Sequence, residues 1–300
     1  MTDNKKTILS YSLFGSEKRF WGTIPFVLMA NSLFYPKFVM RFHLDTSARD
    51  NSMFKLLDEI SKTCSNVEIK VIDTPYTGTL PTIWRMMPLW DEDVSYLFCR
   101  DLDAVPSSFE KKVVEFFVKN KQFLIYSMRV YALHTTPLMA GLCGFNCNSL
   151  RLYRMRGANN SSFLPSTFEN YISRQRNFGW GCDQVLLKNV FCNRSYIGSL
   201  IMKRTLDVPI RTAPKKIPGY LPSVMTEHAF NSVNNTLNSV NKDMLSWCDE
   251  IVNKFGFEAH PATEIDRSYL IKALDIDCEM CKNLKIIFGK YPDLREFYGI

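Results

Sequence analysis

The chain has 300 residues, of which 46% are hydrophobic, enough to bury the core of one large domain or two ordinary ones and to exclude wholesale disorder. Its 13 glycines exclude collagen-like and Gly-rich classes, and no apolar run approaches the roughly 20 residues that span a bilayer. Thirty-seven Lys and Arg against 30 Asp and Glu leave a net charge of +7.

Strand-like and helix-like runs alternate over the first 130 residues. Thr7–Ser12 (TILSYS) reads as a strand, followed by a polar loop and a helix starting near Thr23 with Pro25 in its first turn. Lys37–Leu44 alternates and is rich in β formers; residues 52–62 have helical spacing; residues 67–72 form a third strand. A short helix is predicted over Thr82–Leu89, stopped near Pro88, and then the apolar fourth strand Val94–Cys99. An amphipathic helix at 109–119 and a fifth strand at 123–127 complete the alternation, which predicts a mostly parallel sheet covered by helices.

After Ser127 the pattern loosens, with turn-forming clusters such as GANNSS at 157–162 and a helix resuming at Asp183. Four prolines in PIRTAPKKIPGYLP mark residues 206–222 as an extended connector, and residues 224–256 and 264–296 look mainly helical. A boundary is placed near 205: residues 1–205 form an α/β domain, and residues 206–300 a Pro-rich connector and a helical C-terminal region.

The charge is uneven. Residues 151–220 hold 12 basic and 3 acidic groups, whereas the last 80 residues hold 8 and 12. Such a segment suits nucleic acid, an anionic membrane, a phosphorylated small molecule, or a merely solvated face. No zinc-finger spacing, RNP-like motif or basic heptad region is present, so nucleic acid is the less favoured partner. Nine cysteines, an odd number, and an N-terminus without a signal-peptide pattern suggest reduced thiols and a cytoplasmic protein. There is no GxGxxG, Walker A, HExxH or GxSxG. The lone Cys278-Glu-Met-Cys281 is weak evidence for zinc without a second ligand pair.

Asp101 and Asp103 stand directly after the apolar strand VSYLFC. In extended backbone, residues two apart face one side, so both carboxylates can aim at one point while Leu102 faces the core. Open α/β sheets bind ligands at strand ends of this kind. Two neighbouring carboxylates repel unless a cation lies between them. A hard divalent ion, with a nucleotide diphosphate filling its other positions, meets that demand. A pair of loop carboxylates capping the helix near Phe109 is the plainer alternative.

Four stretches in order resemble the GT-A class of nucleotide-sugar-dependent glycosyltransferases, closest to a DxD group of bacterial surface-polysaccharide clusters and large DNA viruses. They are ILSYSLFG at 8–15, YPKFVMRFHLD at 35–45, YLFCRDLD at 96–103, and HTTPLMAGLCG at 134–144 with GWGCDQ at 179–184, spanning about residues 7–190. The chain departs from the pattern after the DxD, where Val105–Glu110 lacks an Arg-Glu pair, and before His134, where no acidic residue stands.

The resemblance implies a Rossmann-like mixed sheet with a helical C-terminal extension. It implies Mn²⁺ or Mg²⁺ held by Asp101 and Asp103, and donor contacts from Tyr11, Ser12, Phe14, Gly15, Asp45, Arg85, Asp101 and His134. Gly141 and Gly144 would admit the donor sugar closely. Asp183 would be the catalytic base or bind sugar hydroxyls, with Trp180 against a sugar ring. Simpler expectations stand beside these: a turn cap for Asp45, an ion pair with Asp91, Glu92 or Asp93 for Arg85, and a helix N-cap for Asp183. The expected activity is transfer of a sugar from a UDP- or GDP-linked donor to a hydroxyl of a glycan or glycoconjugate. It would take place in the cytoplasm (the host's, for a viral chain), with peripheral membrane contact compatible. The rivals are a nucleotidyl or phosphoryl transferase using the same carboxylates, and a non-catalytic nucleic-acid-binding protein.

Overall fold

A computed structural model describes residues 5–73, 80–106, 108–121, 123–129, 138–155, 181–187, 199–203, 223–226, 246, 250 and 267–300. It shows an α/β fold on a mixed sheet of eight strands: β1 (Lys6–Leu13), β2 (Val39–Asp45), β3 (Val67–Ile72), β4 (Val94–Arg100), β5 (Ile125–Arg129), β6 (Leu142–Asn146), β7 (Ser199–Lys203) and β8 (Ser223–Thr226). Their order is β3-β2-β1-β4-β6-β5-β7-β8. The helices are α1 (Lys18–Phe34), α2 (Phe54–Thr63), α3 (Ser108–Lys119), α4 (Cys147–Met155), α5 (Cys182–Leu187), α6 (Arg267–Leu274), α7 (Glu279–Lys290) and α8 (Pro292–Tyr298). Among the described residues no helix is long and apolar enough to cross a membrane.

The chain divides into two compact units. One takes in residues 1–10, 76–100 and 113–235; the other, residues 11–75, 101–112 and 236–300.

In the first unit β1 runs parallel to β4, with Ile8 opposite Leu97 and Ser10 opposite Cys99, so both strands end at one edge. β6 is antiparallel to both β4 and β5, so the sheet is mixed, while β1–β4, β2–β3, β5–β7 and β7–β8 pair in parallel, as strand–helix alternation suggests. β6 (LCGFN) is buried along its whole length, yet it is short and has a glycine at its centre, so residues after 127 read as irregular. That glycine is a packing requirement. A Cβ on Gly144 would overlap the Tyr126 ring and lie 2.6 Å from Phe98. Those two rings and Phe117 form an aromatic cluster with centroids 5.2–6.1 Å apart. Gly144 therefore admits core rings, not a donor sugar. β5, β7 and β8 pair in parallel, and residues 223–226 are strand where a helical region was expected. The Pro-rich connector lies outside the described residues.

In the second unit β2 and β3 pair in parallel from Met40–Val67 to Asp45–Ile72. α1 starts at Lys18, five residues before the sequence suggested, so Pro25 sits inside it. Proline has no N–H for the carbonyl four residues back, which here belongs to Trp21. The buried Tyr298 hydroxyl of α8 donates to that carbonyl at 2.8 Å. The helical C-terminus thus supplies the bond that Pro25 withholds. α7 packs on α1, α2, α6 and α8, presenting Met280, Cys281, Leu284, Ile287 and Phe288. These residues recur at three- and four-residue spacing, so they make one apolar stripe.

Candidate functional site

The second unit carries the β1 loop, Asp45 and the DxD. Tyr11 is wholly buried: its ring stacks on Phe42 at 5.1 Å and its hydroxyl accepts from Asn31 Nδ2 at 2.6 Å. It belongs to the core, which corrects its assignment to the donor. Ser12 and Phe14 are half-buried, and Gly15 is exposed at φ +70°. The Gly15 carbonyl accepts from Trp21 Nε1 at 3.0 Å, which ties the turn to α1. A left-handed residue with an open flank favours glycine at this position.

Asp45, at the end of β2, caps the 3₁₀ turn Thr46–Asp50. Its Oδ1 accepts from Ala48 N–H at 3.0 Å and its Oδ2 from Ser47 Oγ at 2.7 Å. The turn-cap alternative for Asp45 is therefore realised.

The DxD follows β4 in a turn, not in the extended backbone that the sequence suggested, and its middle residue is still the buried one. Leu102 is 3% exposed, whereas Asp101 and Asp103 on either side are half-buried. Ala104 N–H closes a turn on the Asp101 carbonyl at 3.3 Å. Among the described residues, no three His, Cys, Asp or Glu side chains gather into a metal cluster. Two hard carboxylate donors suit an ion such as Mg²⁺, which dehydrates reluctantly and is held by one or two carboxylates together with phosphate oxygens and water. The donor set fits such an ion.

The first unit carries a buried ionic clamp. Leu80–Trp90 is a 3₁₀ segment, not the short α-helix predicted, and it runs through Pro88. From it Arg85, 4% exposed, sends Nη2 to Asp183 Oδ2 at 2.5 Å and Nη1 to the Arg100 carbonyl at 3.1 Å. Cys99 Sγ donates to the Arg85 carbonyl at 3.4 Å. Asp183 lies in the first turn of α5, after Gly181 at φ +82°. Its Oδ1 accepts from Gln184 N–H at 2.8 Å. Both Asp183 oxygens thus accept bonds from within the protein, and one holds a guanidinium. Arg85 has its ion pair, but with Asp183, 98 positions away, and not with Asp91, Glu92 or Asp93. Arg100 is the residue before Asp101, so the clamp fixes the carbonyl from which the DxD departs.

Neighbouring Trp84 is buried, as is Gly141 in the turn before β6. Burial pushes the thiols of Cys99 and Cys147 up, that of Cys147 to about 12, so they behave as small hydrophobes. His43, in β2, is held near a pKa of 3 by burial, with Arg41 and Lys70 adding to the effect. His134 and Trp180 lie outside the described residues.

No family model matches the chain, and no curated protein matches it. Among solved structures it is similar to the WbbM bifunctional glycosyltransferase in its apo form, at 12% identity and a TM-score of 0.40. The match covers 64% of this chain and 38% of that one, so the chain spans well under half the length of the protein it resembles.

Proposed function

We propose that the chain is a metal-dependent glycosyltransferase that uses a UDP- or GDP-linked sugar and a hydroxyl of a glycan or glycoconjugate. The observation that carries this reading is the DxD just after β4, with Leu102 buried and Asp101 and Asp103 half-buried on either side of it. Asp101 and Asp103 would hold Mn²⁺ or Mg²⁺. When bound, the ion neutralises charge developing on the leaving diphosphate. Ser12, near the end of β1, and Phe14 and Gly15, on the loop after it, would line the nucleotide. Asp45 would face it only through what its cap leaves over, and His134 would touch the diphosphate.

Arg85 and Asp183 would work as a pair. With its oxygens engaged by Arg85 and Gln184, Asp183 is proposed to act by positioning: it orients Arg85, and Arg85 fixes the strand exit that presents Asp101. Proton abstraction from the acceptor hydroxyl by Asp183 is the competing role, and it requires the ion pair to open.

The test is thermal unfolding with UDP and GDP, in Mn²⁺ and in chelator. A nucleotide at a hundredfold excess over its dissociation constant stabilises by about 2.7 kcal/mol. Stabilisation confined to the metal arm is expected, and equal shifts in both arms would overturn the metal-bridged reading. Product analysis separates the rival chemistry. Sugar transfer releases a nucleoside diphosphate, whereas nucleotidyl transfer releases pyrophosphate.

A further inference from the structure

α7 opens on Cys278-Glu279-Met280-Cys281. Cys278 is the N-cap residue, and its Sγ accepts from Cys281 N–H at 3.1 Å. The two thiols differ in access: Cys278 is half-buried, and Cys281, on the stripe packed against the neighbouring helices, is fully buried. The seven described cysteines are all free thiols, and the other five are buried. An outer thiol joined by one helical turn to an inner one is the arrangement of an attacking and a resolving cysteine.

We infer that Cys278 and Cys281 are a reversible redox pair, closing to an intramolecular disulfide by exchange with low-molecular-weight disulfides. Cys278 thiolate attacks one sulfur of a disulfide RSSR. The S–S bond breaks, RS⁻ leaves and takes up a proton, and Cys278 carries the mixed disulfide. Cys281 then gives up its proton and attacks the Cys278 sulfur, expelling the second RS⁻. The protein dithiol loses two protons and two electrons, which RSSR takes up to become two RSH.

The local electrostatics run the same way. The bond from Cys281, with backbone N–H groups at the helix start, lowers the Cys278 thiol from its ordinary 9.0 to about 7, and the Cys281 thiol is raised. At neutral pH Cys278 is then about fiftyfold richer in thiolate. The lower basicity takes back about six- to tenfold, which leaves a net gain of about five- to eightfold in attack rate.

The experiment uses the full chain with glutathione disulfide, an acid quench, alkylation and peptide mapping. The expected product is a 278–281 peptide lighter by two hydrogens, without retained glutathione and restored by dithiothreitol. Cys281→Ser should instead retain glutathione on Cys278. In a second measurement, Cys278 should alkylate about five- to eightfold faster in the folded chain than in urea. Wild-type protein that keeps glutathione on Cys278, leaves both thiols alkylatable, or joins either to Cys64 overturns the inference. So does a folded alkylation rate no faster than the unfolded one.

Discussion

Removing one partner of the Arg85–Asp183 pair should cost far more stability than removing both. The side chains are 5% and 6% exposed and 2.5 Å apart. Two unit charges about 4 Å apart at an effective dielectric near 20 attract by about 4 kcal/mol. Loss of one partner from such a pair typically costs about 3–5 kcal/mol, because the other charge stays buried. Asp183→Leu should therefore lower Tm by about 6–20 °C, at about 2–4 °C per kcal/mol. Arg85→Met with Asp183→Leu should recover most of that loss, since a packed apolar pair is often neutral or better. Asp183→Asn keeps an acceptor for Arg85 and nearly the same shape, so it reads out function. If Asp183 positions Arg85, Mn²⁺–nucleotide affinity and transfer rate should fall together. If it is the base, affinity should hold while the rate falls by about 10²–10⁴. Thermal unfolding of the four-member cycle, beside nucleotide titration of Asp183→Asn, decides both points. Single variants that cost under about 1 kcal/mol, or effects that simply add, would refute the clamp.

Tyr298→Phe should destabilise by about 1–3 kcal/mol by leaving the Trp21 carbonyl without its hydroxyl donor; in a Pro25→Ala background, where a helical N–H returns, urea unfolding should show a smaller cost. Gly144→Ala should cost about 1–3 kcal/mol by overpacking against Phe98 and Tyr126, and a neutral variant would show that the rings yield freely. His43 has its folded pKa depressed, so its contribution is complete above the unfolded value near 6.5 and is lost as pH falls toward 3. In that window His43→Gln should remove up to about 1.4 kcal/mol per pH unit from the wild-type slope, and parallel slopes in urea melts would refute the assignment. Asp103→Asn should abolish Mn²⁺-dependent nucleotide stabilisation while leaving the metal-free melting curve near wild type, as measured by the same thermal assay.

Elements with strong periodicity were legible within a few residues. Residues 67–72 were read as a strand and are β3, and the helices expected at 52–62 and 109–119 are α2 and α3. The errors have physical causes. Pro25 was read as an N-terminal signal, since proline is favoured in a first turn; in α1 it stands mid-helix because a residue 273 positions away completes the hydrogen bond. Pro88 was read as a helix stop, and a 3₁₀ segment carries on through it. β6 was missed because a five-residue strand in the middle of a sheet has no alternation to detect: both its faces are buried.

The site divides along the same line. The burial of Leu102 between two less buried aspartates was legible because it is local, one apolar residue directly after an apolar strand. Tyr11 was misread because its surroundings are not local: Phe42 and Asn31, 31 and 20 positions on, claim its ring and hydroxyl. Arg85 and Asp183 were singled out separately, each with a nearby or helix-end partner in view, and nothing within ten residues of either announces the other. Their pairing follows from where the 3₁₀ segment and α5 meet in the first unit. A buried charge must be matched, and the carboxylate of Asp183 is what matches Arg85. The same guanidinium then has a second N–H to spend on the Arg100 carbonyl. A residue held for electrostatic reasons thereby sets the backbone one position ahead of Asp101, so substitutions at Arg85 should alter metal-dependent binding through geometry even though the two aspartates are untouched.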